Sequence, residues 1–255
     1  MYDPSSPLLR PAVTKGVAAA PDAKGRFAED RLLDAVIWCE IAPGEIVTEA
    51  DATDRFGLTR AAARAGLTRL GYDGWATPQP RTGWRVLPVT GALIGQVLDA
   101  RRVAEPALED ARLDAAARAE LAQISDILVP LRERRERGAI ISFRHYVDRV
   151  DAILLGVLNP FTARHLRKLW HHSARITHFL EDPDRDRLFH RSDDRALITA
   201  ALAGDRAGIG AARRALIDAQ EAFFLRQLLH SETPLTSGSA VMGQTEQAAA
   251  NRRET

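Results

Sequence analysis

Arg60, Arg64 and Thr68 are spaced four apart in the stretch T-R-A-A-A-R-A-G-L-T-R-L, from Thr59 to Leu70. In a helix that spacing puts them in one line on one face. Ala63, Leu67 and Leu70 fall on another line and read as core. Around the arginines stand only small residues, Ala61, Ala62, Ala65 and Gly66. A slim helix carrying a few long donors is what a DNA major groove about 12 Å wide admits, and a guanidinium pairs two-pronged with a guanine edge. No acidic residue occurs between Arg55 and Tyr72, so the segment is locally basic. An exposed amphipathic helix with solvated arginines has the same pattern, and this stretch alone does not separate the two.

Other reactive groups are few. The single cysteine, Cys39, sits on a helical pattern beside Glu40, which disfavours a thiolate, so packing is its expected role. The chain has no glycine-rich phosphate loop, nucleophile elbow or His-Glu metal-hydrolase pair, and no enzymatic activity is expected.

The elements that would position the arginines are legible. Leu33, Val36 and Ile37 mark a helical face between Ala28 and Glu40, and Ala42-Pro43-Gly44 is expected to stop it. Thr48 opens a short helix, with Asp51 placed for a capping box. That helix ends at Phe56-Gly57-Leu58, and Thr59 caps the arginine helix, which runs to about Gly71. Two strands, 75–79 and 83–87, flank a Pro80-Arg81-Thr82 turn. Beyond Leu87-Pro88-Val89, the expected interdomain joint, the pattern turns helical. Helices are predicted at 92–112, 115–136, 142–157, 160–181, 193–203 and 205–229, joined by short loops as in an antiparallel bundle. The predicted fold is mainly α: a winged helix-turn-helix at 26–88 and an all-helical domain at 92–230. Disordered segments are expected at 1–25 and 231–255.

Composition bounds the function without choosing it. The chain has 255 residues, 45% of them hydrophobic, and 35 basic against 34 acidic side chains, a net charge of +1. Affinity for nucleic acid would therefore have to come from a local surface. One cysteine excludes an internal disulfide framework and fits a reducing cytoplasm. No apolar run approaches the ~20 residues of a membrane span, and no signal peptide is read at the start.

Together, the stretch Asp30 to Val86 resembles the GntR family of regulators. The resemblance rests on Pro43-Gly44, Gly57-Leu58-Thr59-Arg60, Arg64, Leu67, Leu70, Gly74-Trp75 and Gly83-Trp84-Arg85-Val86. It implies that Thr59, Arg60 and Arg64 sit on double-stranded DNA and that Gln79 to Arg81 form a wing tip against the minor groove. The candidate DNA-facing set is Thr59, Arg60, Arg64, Thr68, Arg69, Gln79, Arg81 and Gly83. Ala62 and Ala65 depart from the family's usual Pro and Glu, and the second change could alter which base the adjacent arginine reads.

The helical half resembles the FCD branch of that family through Arg101, Glu105, Asn159-Pro160 and the Ala200 to Asp205 stretch. The resemblance implies a homodimer on a palindromic operator and a small-molecule effector. Arg101 is the candidate for gripping a ligand carboxylate; an i,i+4 pair with Glu105 is the competing role. The candidate effector set is Arg101, Glu105, Asp148 and Asp194. Many FCD domains hold a divalent metal on one Asp and three His. Here the corresponding positions are Tyr146, Val150, Asp194 and Leu216, which do not match. His145, Asp148, Asp151, Asp194 and Asp218 are nearby substitutes, and the pair His171-His172 is another. The expectation is that the metal is lost and no cofactor is required. Any remaining site, on His145, Asp148 and Asp194, would be oxygen-rich and suited to magnesium, calcium or manganese.

Overall fold

The computed structural model describes residues 21–134, 136–181, 187–189 and 194–230. Residues 1–20 and the tail expected to be disordered, 231–255, lie outside the described residues.

Helix α1, Pro21–Ile37, starts inside the segment expected to lack structure. Proline is favoured at a first helical position, where its missing N–H would be unpaired anyway. The chain leaves α1 at Cys39, in the left-handed region at φ 56, ahead of the Ala42-Pro43-Gly44 stop that the sequence suggests. A two-residue strand follows, β1, Ile46–Val47, too short for alternation to reveal. Helix α2, Glu49–Phe56, is opened by the expected capping box: the Thr48 side chain accepts from Asp51 N–H and the Asp51 carboxylate accepts from Thr48 N–H. Gly57 closes α2 at φ 64. Helix α3, Arg60–Tyr72, is capped by Thr59, whose hydroxyl accepts from Ala62 N–H. Strands β2, Ala76–Gln79, and β3, Gly83–Val86, form the wing. The sheet is antiparallel in the order β1-β3-β2, with Gln79 opposite Gly83 at the tip and Ile46 opposite Arg85.

Two close approaches set this winged unit. A Cβ at Gly66 would lie 2.7 Å from Leu32 Cδ1 and 3.2 Å from Ala28 O, so α3 lies directly against α1. A Cβ at Gly83 would lie 2.6 Å from Val47 O, and the residue adopts φ +127, which only glycine takes without strain. Leu32, Val47, Ala52, Ala63, Leu67, Leu70, Trp75 and Val86 form the core, including each α3 residue assigned to it from spacing.

The rest is helical: α4, Gly91–Ala104; α5, Ala115–Leu128; α6, Arg137–Gly156; α7, Pro160–Leu180; α8, Asp194–Ala203; and α9, Arg206–His230. Two predicted helices come out shorter. Stretches expected to continue α4 and α5 become 3-10 turns, Glu105–Asp110 and Val129–Leu131, at Pro106 and Pro130. Proline lacks the N–H that an α-helix needs and clashes with the preceding turn. One apolar cluster gathers Leu108, Leu121, Leu128, Val150, Leu154, Leu166 and Ile198. A second gathers Val89, Ile94, Leu98, Ile176, Ile217 and Phe224.

The chain divides into two compact units, one with Ile46–Leu87 and α1 as far as Ala35, the other with Val36–Glu45 and the chain from Pro88. Val36–Glu45, placed with the winged domain from sequence, thus clusters with the helical unit. There His178 Nδ1 lies 2.9 Å from Ile37 O and its ring stacks on Trp38 at 4.1 Å. No helix among the described residues is long and apolar enough to cross a membrane.

Candidate nucleic-acid interface and buried polar cluster

Helix α3 exposes Arg60, Ala61, Arg64 and Ala65, which line a shallow open depression. No acidic residue occupies its first turn. The surface is nevertheless less basic than the sequence suggests. Packing of α2 against α3 brings in Glu49, fifteen positions before Arg64. Arg64 Nε donates to Glu49 Oε1 at 2.7 Å and Nη2 donates to Oε2 at 3.1 Å. This hydrogen bonding holds the Glu49 carboxyl below its usual range and raises Arg64, and the charge of Arg60 also favours the Glu49 carboxylate.

The other expected DNA-facing residues are spread over helix and wing. Thr68 is half-buried, and exposed Arg69 pairs along the helix with Asp73 at 2.9 Å. Thr59 already uses its hydroxyl as the cap. Arg81 is exposed at the wing tip at φ 66, Gln79 precedes it with Nε2 3.5 Å from Thr77 Oγ1, and Thr82 closes the turn onto Gln79 O. Gly83 has its backbone reason in the approach of Val47, independent of any ligand.

In the helical unit, Arg101 and Glu105 are buried at 1% and 2% exposure and belong to a larger cluster. Arg101 Nε donates to Glu105 Oε1 at 2.5 Å, and its Nη1 donates to Ser173 Oγ at 3.0 Å and to Gln220 Oε1. Glu105 also accepts from Trp170 Nε1 at 2.9 Å and, through Oε2, from Arg213 Nε at 2.7 Å. Arg213 lies over the Trp170 ring at 4.4 Å and donates to Asp151 Oδ1 at 3.0 Å. Burial works against the charged form of Glu105, but the flanking Arg213 and Arg101 more than offset it, and its carboxyl is held below the usual range. The i,i+4 pair that competed with ligand binding for Arg101 is therefore present, as one link in a chain of buried charges.

Asp148 and Asp194 do not join it. Asp148 is exposed on α6, whereas Asp194 is buried at the start of α8 and accepts from Arg132 at 2.7 Å. Asp151, a substitute metal ligand by sequence, is bound by Arg213, and Asp218 lies 3.6 Å from Arg102. His145 is exposed, edge-on to Tyr146. His171 and His172 are pushed down to about 4, chiefly by burial, which keeps both imidazoles neutral at pH 7. Among the described residues no three or more His, Cys, Asp or Glu side chains are grouped to hold a metal ion.

Sequence reading missed Glu49, Arg213, Trp170, Ser173 and Gln220. For Arg213 and Gln220 a signal existed. Arg213 stands among Ile209, Ala212, Leu216 and Ile217, all buried, and Gln220 lies seven beyond it on the same face. A polar residue inside an apolar helical stripe has to find a partner. Glu49 gave no such signal, because its partner is set by the crossing of α2 and α3.

No protein-family model and no curated protein matches the chain. Solved structures do. E. coli McbR/YncC is similar at 18% identity, with a TM-score of 0.62 over 80% of this chain and 98% of that one. A protein of Rhodococcus sp. RHA1, assigned as a transcriptional regulator, GntR, is similar at 20% identity, with a TM-score of 0.59 over 79% of this chain and 97% of that one. At these identities the likeness is one of fold: the chain has the fold of a GntR-type regulator over about four-fifths of its length.

Proposed function

We propose that the chain is a sequence-specific DNA-binding transcriptional regulator, acting as a repressor. It binds an inverted-repeat operator as a homodimer, and a small carboxylate-bearing metabolite in the helical unit lowers its operator affinity. The observation that carries the reading is the α3 surface: Arg60 and Arg64 exposed on a helix otherwise lined by alanine, with the exposed Arg81 on the wing of the same unit. Such a helix enters a major groove without steric obstruction, and its arginines meet guanine edges. The likeness in fold to a protein assigned as a transcriptional regulator supports the same reading.

The effector part rests on the buried cluster. A buried ion-pair network is commonly no more stabilising than apolar residues of the same volume. Keeping Arg101, Glu105, Arg213 and Asp151 inside the bundle therefore calls for a reason beyond stability. Arg101 and Arg213 both grip one carboxylate, that of Glu105, and a ligand acid offers the same group. A second reading, in which the helical unit serves dimerisation alone, is favoured by the fact that Glu105, Ser173 and Gln220 already accept from Arg101.

The DNA reading is tested by selecting duplexes from a randomised pool with the full chain and titrating the enriched duplex with wild type and Arg60→Ala. The expected result is a roughly ten- to hundredfold loss on the enriched duplex and a much smaller loss on mixed-sequence DNA. An Arg60→Ala chain with unchanged affinity and sequence preference would remove α3 as the reading element.

A further inference from the structure

Glu49 is unusual for a surface that meets a polyanion. It stands at the start of α2, its side chain 28% exposed, and faces Arg64, 70% exposed, across the α2–α3 contact. The pairing is two-pronged and uses one defined edge of the guanidinium, Nε with Nη2. The outer edge, Nη1 with the second hydrogen of Nη2, is left to point away from Glu49. An arginine approaching guanine end-on uses that outer edge for O6 and N7. An exposed ion pair contributes little to stability, and the Thr48–Asp51 capping box starts α2 without help from Glu49. A carboxylate in the first turn of α2 also suits the helix dipole, but Asp51 already supplies one there, so folding gives only a modest reason for a second. Its charge also opposes phosphate, the group that dominates binding to arbitrary DNA.

We propose that Glu49 is a specificity-determining residue of the α3 surface: it fixes Arg64 by its Nε/Nη2 edge for end-on base reading and lowers the affinity of that surface for phosphates of any sequence. This rests on the DNA-binding reading and adds a residue to it. An arginine held in this way has lost its rotamer freedom before it meets a base, so a correct base gains a pre-oriented donor pair. At an incorrect site, Arg64 would have to leave Glu49 to reach a phosphate. Discrimination then comes partly from what the surface gives up at wrong sequences.

The test uses the full-length wild type, Glu49→Gln, Arg64→Ala and the double variant. Each is titrated by fluorescence anisotropy against mixed-sequence duplexes between about 50 and 200 mM salt, and each is used to select from a randomised duplex pool. For Glu49→Gln the expected result is mixed-sequence affinity raised roughly threefold or more and a salt dependence steeper by about one phosphate contact. The selected motif should lose base preference at one position of each half-site. In the Arg64→Ala background the same change should leave motif and salt dependence nearly unaltered. The proposal is overturned if the wild type selects a motif and Glu49→Gln selects the same one with equal mixed-sequence affinity. It is equally overturned if Glu49→Gln acts alike with and without Arg64, for then Glu49 is only a charge. If the wild type selects no motif and binds duplexes without salt dependence, the DNA-binding reading itself fails, and this inference with it.

Discussion

Glu105 shows how much one side chain decides. Its two oxygens take hydrogen bonds from Arg101, Arg213 and Trp170, so a single carboxylate compensates two buried guanidiniums. Removing it takes away the carboxylate that Arg101 and Arg213 share and leaves Asp151, on Arg213, as the acidic partner at the cluster's other end. Breaking a buried pair from one side costs about 3–5 kcal/mol, so thermal unfolding of Glu105→Ala should begin well below that of the wild type. The vacated space lies between two arginines, and acetate or formate has the group that fits it. Acetate in the millimolar range should raise the melting temperature of Glu105→Ala by more than that of the wild type, where Glu105 competes for the same guanidiniums, since a ligand held only by the folded state stabilises it by mass action. An Ala variant as stable as the wild type would show that the cluster is slack. One that is destabilised but indifferent to acids would show that Arg101 and Arg213 do not form a carboxylate site.

The elements were the most legible level. Caps at Thr48 and Thr59, the end of α2 at Gly57 and the helix junctions at Asn159-Pro160 and Gly204-Asp205 fall where local rules put them. Local rules failed where a short feature met a distant one. β1 exists because β3 offers it a ladder, and Cys39 takes a left-handed conformation that its residue type does not announce. Gly83 belongs with these: its sequence context suggests a wing turn, but the constraint on it is Val47 O, 2.6 Å from where a Cβ would stand. Gly83→Ala should therefore destabilise the winged unit by roughly 1–3 kcal/mol through backbone strain. Gly95→Ala, in α4 with nothing within 4 Å of the added carbon, should stabilise slightly. Thermal denaturation of the two variants checks this. Equal melting temperatures would mean that the wing yields and that Gly83 is dispensable to the fold.

For the whole molecule, the fold class followed from the change of pattern near Leu87-Pro88-Val89, whereas the sites were only partly legible. Arg60 and Arg64 were identifiable because long cations on a small-residue background are conspicuous, and Arg101 only through the resemblance of the helical half to the FCD branch. Their partners, Glu49, Ser173, Arg213 and Gln220, are brought to them by tertiary packing over long sequence separations. In the proposed function those partners matter as much as the arginines. The proposed homodimer adds number: one α3 helix would contact too few bases for useful discrimination, and a two-fold protein pairs with a two-fold site. The most direct measurement is therefore the sequence of duplexes enriched by the full-length wild type from a randomised pool. The expected result is a short inverted repeat whose half-sites are centred about one helical turn, 10–10.5 base pairs, apart or a multiple of it, each containing guanines whose substitution abolishes enrichment. A pool that stays random after repeated rounds, or a single unrepeated half-site bound by one chain, would contradict it.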